Sequence, residues 1–244
     1  MTYESDILRD WYLLFHYGSP EEILQDAAFA VSDLPPGSLE FPVQSVEIAG
    51  IRKEIGRALD VGCAVGRSAF EMSRLAGEVV GLDFSRSFID AAESLRRGDA
   101  LAYHRYRESH LPEPLVARLP PGARPERVRF ATGDAMNLDL LLGAFDLVHA
   151  ANLLCRLSDP IRFLDRLPAL VKPGGILVLA TPATWMEIHT PRENQPPGDT
   201  LDYLKARLED SFELRSVTEL PFFLREHRRK FQLSTSQTSV WRKR

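Results

Sequence analysis

Cysteine is scarce in this 244-residue chain: Cys63 and Cys155 lie far apart and form no CxxC pair. That argues against a disulfide framework and for a reducing compartment. Long apolar runs are missing too. No uncharged window reaches the roughly 20 residues that a membrane-spanning helix needs. The N-terminus has no basic leader followed by an apolar stretch, so no secretory signal is expected. The six histidines show no HxxxH or similar spacing, so no metal is expected. Basic residues are not in excess; a net charge of −4 argues against a dedicated nucleic-acid surface. Neither GxGxxG nor GKS/GKT occurs, which excludes the dinucleotide fingerprint and the P-loop. The expectation is a cytoplasmic protein of ordinary globular composition, 44% hydrophobic and 26% charged, long enough to bury a sizeable core.

What is present is an alternation. Strand-like runs at Ala58–Gly62, Val79–Phe84, Val128–Ala131, Phe145–Ala151 and Ile176–Ala180 are separated by helical patterns at Ser68–Leu75, Ser87–Arg97 and Ile161–Val171. Parallel neighbours need long crossovers, so this order predicts an α/β fold with a doubly wound, mostly parallel sheet. After a helix at Thr200–Leu208, the segments Phe212–Leu220 and Phe231–Trp241 flank a basic turn region and predict an antiparallel C-terminal edge. Leu8, Trp11, Tyr12 and Phe15 at helical spacing predict an N-terminal helical cap. The chain reads as one domain: cap 1–56, binding core 57–182, and a substrate-side and edge region 183–244. Gly98–Arg127 reads as a long connection of the functional or mobile kind.

The stretch ALDVGCAVGRSAFE (Ala58–Glu71) places Asp60 and Gly62 at the carboxyl end of the first strand and Gly66 near the next helix. Ligands of open α/β sheets bind there, and glycine lets ligand atoms approach the main chain. The spacing resembles the D-x-G-x-G-x-G motif of class I S-adenosylmethionine-dependent methyltransferases, with Ala64 at the middle position. Four further segments match in order: Val80–Ser85 with Asp83 at a strand end, Gly133-Asp134-Ala135, Phe145–Val148, and Leu170–Gly175. The resemblance implies a Rossmann-like fold and a cofactor site of Asp60, Gly62, Cys63, Ala64, Gly66, Ser68, Asp83, Phe84, Ser85, Asp134 and Ala135. Asp83 would take the ribose hydroxyls and Asp134 the adenine amine. S-adenosyl-L-homocysteine would be the product.

The whole chain resembles a narrower family. YESDILRDWYLLFHYG (Tyr3–Gly18), LDVGCAVGRSAFE (Leu59–Glu71), HAANLLCRLSDP (His149–Pro160), TPATWMEIHTP (Thr181–Pro191) and LREHRRKFQ (Leu224–Gln232) are similar to the methyltransferase of ovothiol biosynthesis. Ala64 fits that family. The chain looks like its stand-alone form, with pathway coupling to a thiohistidine synthase. The resemblance implies methylation of the side-chain-proximal imidazole nitrogen of 5-thiohistidine, giving ovothiol A. Asn152, just past the fourth strand, would lie near the transferred methyl. His16, Tyr17, Asn152, Arg156, Trp185, Glu187, Arg225 and His227 are the candidates for holding the substrate, while His149 reads as a core histidine. Methylation of another small thiol or imidazole, a non-catalytic nucleoside-binding protein and a nucleic-acid methyltransferase are the alternatives.

Overall fold

The computed structural model describes residues 4–244; Tyr3, first residue of one resembling segment, lies outside the described residues. Seven strands form one sheet in the order β5-β2-β1-β6-β7-β9-β8. They are β1 Ile55–Val61, β2 Ala76–Asp83, β5 Val128–Thr132, β6 Phe145–Ala151, β7 Val171–Thr181, β8 Phe212–His227 and β9 Lys230–Lys243. The first five pair in parallel, whereas β9 runs antiparallel to both β7 and β8. The doubly wound sheet and the antiparallel edge are therefore present as expected.

Strand periodicity explains why both faces are covered. Successive side chains on a strand point to opposite faces, and neighbouring residues here enter two different cores. Ala58, Val79, Leu147, Val178 and Val240 pack on one face with α4 (Arg67–Met72) and α5 (Arg86–Arg96). Leu59, Val80, Val148, Leu177 and Trp241 pack on the other with α6 (Pro160–Leu170) and α7 (Thr200–Leu208). Purely apolar runs in the strands are thus required on both sides. β1 and β6 are neighbours whose onward connections leave in opposite directions, which opens a crevice at their carboxyl ends.

The N-terminal cap consists of α1 (Asp6–Tyr17), α2 (Pro20–Leu24) and α3 (Phe41–Glu47). Ser5 caps α1 by accepting from Leu8 N, and Glu4 accepts from Arg86 N and Ser87 N at the start of α5. Phe15 of α1 meets Phe41 of α3 and Phe222 of β8, which draws the cap over the crevice.

The Gly98–Arg127 segment corrects the sequence reading. It holds an ordered antiparallel hairpin, β3 (Leu101–Glu108) and β4 (Leu111–Ala117), followed by a turn-rich return. Pro112 and Pro114 obscure the strand pattern, yet a strand with one partner tolerates prolines. The hairpin docks on the cap: His104 Nδ1 and the Tyr106 hydroxyl both reach the buried Asp10 carboxylate, at 3.2 and 3.3 Å. The C-terminal basic run is also more regular than expected. β8 continues through His227, leaving only Arg228 and Arg229 in the turn.

Candidate active site

β1 delivers its last residues into the crevice, where the backbone turns sharply. Gly62, Ala64 and Gly66 take φ of +75°, +47° and +90°. Gly62 N and Cys63 N both donate to Leu82 O, and Ala64 N donates to Asp83 Oδ2 at 2.8 Å. The loop is thus bound to the end of β2. Tyr17 reaches over from α1 and donates its hydroxyl to Val65 O at 2.7 Å, so the cap clamps the same loop.

A cavity of about 330 Å³ lies beside this loop. One end is acidic. Asp83 Oδ1 accepts from Ser85 N at 2.9 Å, and Asp134 Oδ1 from Met136 N at 2.9 Å. Burial pushes the Asp83 carboxyl up to about 6 even though the Ser85 and Ala64 amides favour its ionised form; Asp60 and Glu4 raise it further. Phe84, 79% exposed, lies at the rim.

In the floor, Asp60 Oδ1 is 2.7 Å from His149 Nδ1, and His149 Nε2 is 3.0 Å from Ser45 Oγ. His149 is a satisfied buried histidine, as the sequence suggested, but it also borders the cavity. Asp60 Oδ2 is buried without a protein partner. Burial raises the Cys63 thiol well above its ordinary range, so Cys63 contributes main chain and shape.

The other end is aromatic. Phe15, Phe41 and Phe222 come from three elements to wall it, with His16 and Asn152 alongside. Burial, reinforced by Arg67, brings the His16 imidazole down to about 3, so it is neutral at physiological pH; its Nδ1 has no partner. Asn152 sits in the left-handed region at φ +55°, with its N–H on Ala180 O and its Oδ1 accepting from the Ser236 hydroxyl. Arg156 also borders the cavity, and its Nη1 donates to Thr184 O at 3.2 Å.

Residues 59–177 match the methyltransferase domain family. The sheet and its flanking helices have the class I methyltransferase fold. The chain is 29% identical over 150 residues to a ubiquinone biosynthesis O-methyltransferase of Xanthomonas euvesicatoria, covering 61% of this chain and 50% of that one. It is 31% identical over 127 residues to the protein of that name from Ralstonia nicotianae, covering 51% and 42%. The chain spans about half the length of the curated relatives it matches. The N-methyltransferase NodS of Bradyrhizobium japonicum, crystallised with S-adenosyl-L-homocysteine, aligns over 96% of this chain and 98% of its own. The TM-score is 0.57 at 15% identity, a likeness in fold.

The cofactor of such a domain is S-adenosyl-L-methionine, and the cavity fits it. A side chain at Gly62 would put Cβ 3.0 Å from Leu153 Cδ1, so bare backbone lines that wall. Asp60 Oδ2 offers an unused buried carboxylate oxygen suited to an ammonium group. Among the described residues no cluster of three or more His, Cys, Asp or Glu could hold a metal, and no helix is long and apolar enough to cross a membrane.

Of the residues expected at the cofactor, Asp60, Gly62, Cys63, Ala64, Ser68, Asp83, Phe84, Ser85, Asp134 and Ala135 all border this cavity. Gly66 does not; it starts α4 behind the loop, against Phe130 and Ala92. Of the substrate candidates, His16, Asn152 and Arg156 border the cavity and five others do not. Tyr17 is committed to the loop clamp. Ala183, at φ +51°, turns the chain away, so Trp185 donates to Thr200 Oγ1 at 2.9 Å and Glu187 faces solvent. Arg225 shares the parity of Phe223 on β8 and points away from Phe222 and Leu224; buried, it donates to Ile23 O and Gln25 O and anchors α2. His227 lies at the hairpin end, where Nδ1 accepts from Arg229 N.

Asp83 gives the domain a pH signature. A ribose held by Asp83 would bond the ionised carboxylate, and below pH 6 that carboxylate would first have to lose its proton. Affinity for S-adenosylhomocysteine should be flat above pH 7 and about tenfold weaker at pH 5, following linkage. Titration calorimetry across that range checks this, and Asp83→Asn should abolish the step.

Proposed function

We propose that the protein transfers the methyl group of S-adenosylmethionine to the side-chain-proximal imidazole nitrogen of 5-thiohistidine, giving ovothiol A. The observation that carries this reading is a single cavity joining the acidic, glycine-opened end to an aromatic chamber with a neutral imidazole and an amide beside it. Bound there, the cofactor supplies an electrophilic methyl on positively charged sulfur. Asp83 holds the ribose hydroxyls, Asp134 the adenine amine and Asp60 Oδ2 the ammonium group.

The chamber's part is alignment and exclusion of water. Phe15, Phe41 and Phe222 pack on one another as an apolar wall against which a flat ring is aligned, and positioning of this kind is worth roughly 7–11 kcal/mol. His16 contributes a hydrogen bond without adding a second positive charge beside the sulfonium. Arg156 is the arginine bordering the cavity and takes the amino-acid carboxylate, a charge-assisted contact. The acceptor nitrogen must present a lone pair. The adjacent thiolate enriches that ring, so no external base is needed.

The test is incubation with S-adenosylmethionine and 5-thiohistidine, followed by mass spectrometry with fragmentation. One methyl on the proximal nitrogen is expected, with histidine left unmodified. Methylation of a hydroxyl oxygen in its place would instead align the chain with its O-methyltransferase relatives. Asn152→Gly keeps the left-handed backbone while deleting the amide. It should lower kcat/KM roughly fivefold to tenfold, the scale of a neutral hydrogen bond, with S-adenosylhomocysteine affinity unchanged within about twofold.

A further inference from the structure

Ser236 lies in the middle of β9, fully buried, with apolar Leu220 as its partner across β8. Its surroundings are those of a core position: Phe15, Phe41, Ala180, Leu220 and Phe222 form the neighbouring apolar cluster. A hydroxyl adds nothing to such packing and has to be satisfied. Its side-chain bond goes to Asn152 Oδ1, 84 residues away in sequence and at the edge of the cavity. An asparagine amide carries one acceptor end and one donor end. With the oxygen held toward Ser236, the Nδ2 hydrogens lie on the opposite arm of the amide, turned from that serine.

We propose that Ser236 is a positioning residue for acceptor recognition: it locks the Asn152 amide so that the chamber offers a donor. The acceptor it selects carries a lone-pair-rich atom, such as a thiolate sulfur, beside the methylated nitrogen, and a ring presenting N–H or C–H there is rejected. This rests on the methyltransferase reading above only in that a small acceptor enters the aromatic chamber. The device is invisible to local sequence patterns, because β9 and the loop after β6 meet only through the antiparallel insertion of β9 next to β7.

The experiment is calorimetric binding of 5-thiohistidine to the protein saturated with S-adenosylhomocysteine, compared across variants. Ser236→Ala should weaken the acceptor about tenfold and shrink the preference for 5-thiohistidine over histidine, while S-adenosylhomocysteine affinity stays within twofold. Ser236→Cys, similar in size with a weaker donor, should fall between, and it replaces Ser236→Ala should that variant fail to fold. In an Asn152→Gly background Ser236→Ala should have no further effect, because a residue acting through another is silent once the other is gone. An undiminished effect in that background, equal loss of cofactor affinity, or no change in acceptor affinity would overturn the assignment. Should 5-thiohistidine fail to bind while another heteroaromatic thiol or a phenol binds, the substrate reading falls. Ser236 is then judged on that compound. Absence of binding by every such compound to the unaltered complex overturns the positioning role as well.

Discussion

Replacing Asp83 with alanine is expected to weaken S-adenosylhomocysteine binding by about 1.5–3 kcal/mol, roughly 10- to 150-fold. Two effects combine. The ribose loses a charged acceptor, and Ala64 N loses the oxygen that holds the glycine-opened loop at 2.8 Å. Asp83→Asn removes the charge but has one acceptor oxygen for two backbone donors, Ala64 N and Ser85 N, so it is expected to lose the charge together with one of the two loop contacts. Titration should be run at pH 8, above the elevated carboxyl value of about 6, so that the unaltered protein is ionised. Affinity within twofold of the unaltered protein for Asp83→Ala would remove this residue from the cofactor site.

The second large effect is on folding. Gly66→Ala should cost roughly 2–4 kcal/mol, the sum of left-handed strain and overpacking. Gly66 holds φ +90°, and a Cβ there would lie 2.7 Å from Phe130 Cζ and 3.0 Å from Ala92 Cβ. Phe130 has no room to retreat, because it packs edge-on against fully buried Phe70 with ring centroids 5.4 Å apart. Gly98 is the matched control: its φ is +86°, but nothing lies within 4 Å of an added Cβ, so Gly98→Ala should show the strain alone. Urea denaturation of both variants reads the difference. Equal losses would mean that the tight packing behind the loop carries no energy.

Much of the binding half was legible because its determinants are local. A strand must end where Asp60 and Gly62 stand, and the acid of Asp83 follows the next apolar run directly; short-range spacing encodes both. The alternation of apolar strands with amphipathic helices was readable for the same reason. The β3–β4 hairpin was not, since Pro112 and Pro114 are signals against a strand unless it is known to be an edge. The acceptor half depends on distant residues. Phe15, Phe41 and Phe222 meet only after the cap folds over the sheet, and no interval in the sequence registers that. Arg225 misled because a charged run suggests solvent or ligand, whereas strand parity turns it toward α2 carbonyls. Ser236 gave no signal at all; one serine in a polar β-strand carries no mark of its partner.

The most direct measurement is a crystal structure of the protein with S-adenosylhomocysteine. The ribose is expected on Asp83, the adenine beside Asp134 and Ala135, and the sulfur facing Asn152 and the chamber of Phe15, Phe41 and Phe222. A nucleoside bound anywhere else, or a sulfur turned away from that chamber, would contradict the assignment of this cavity to methyl transfer.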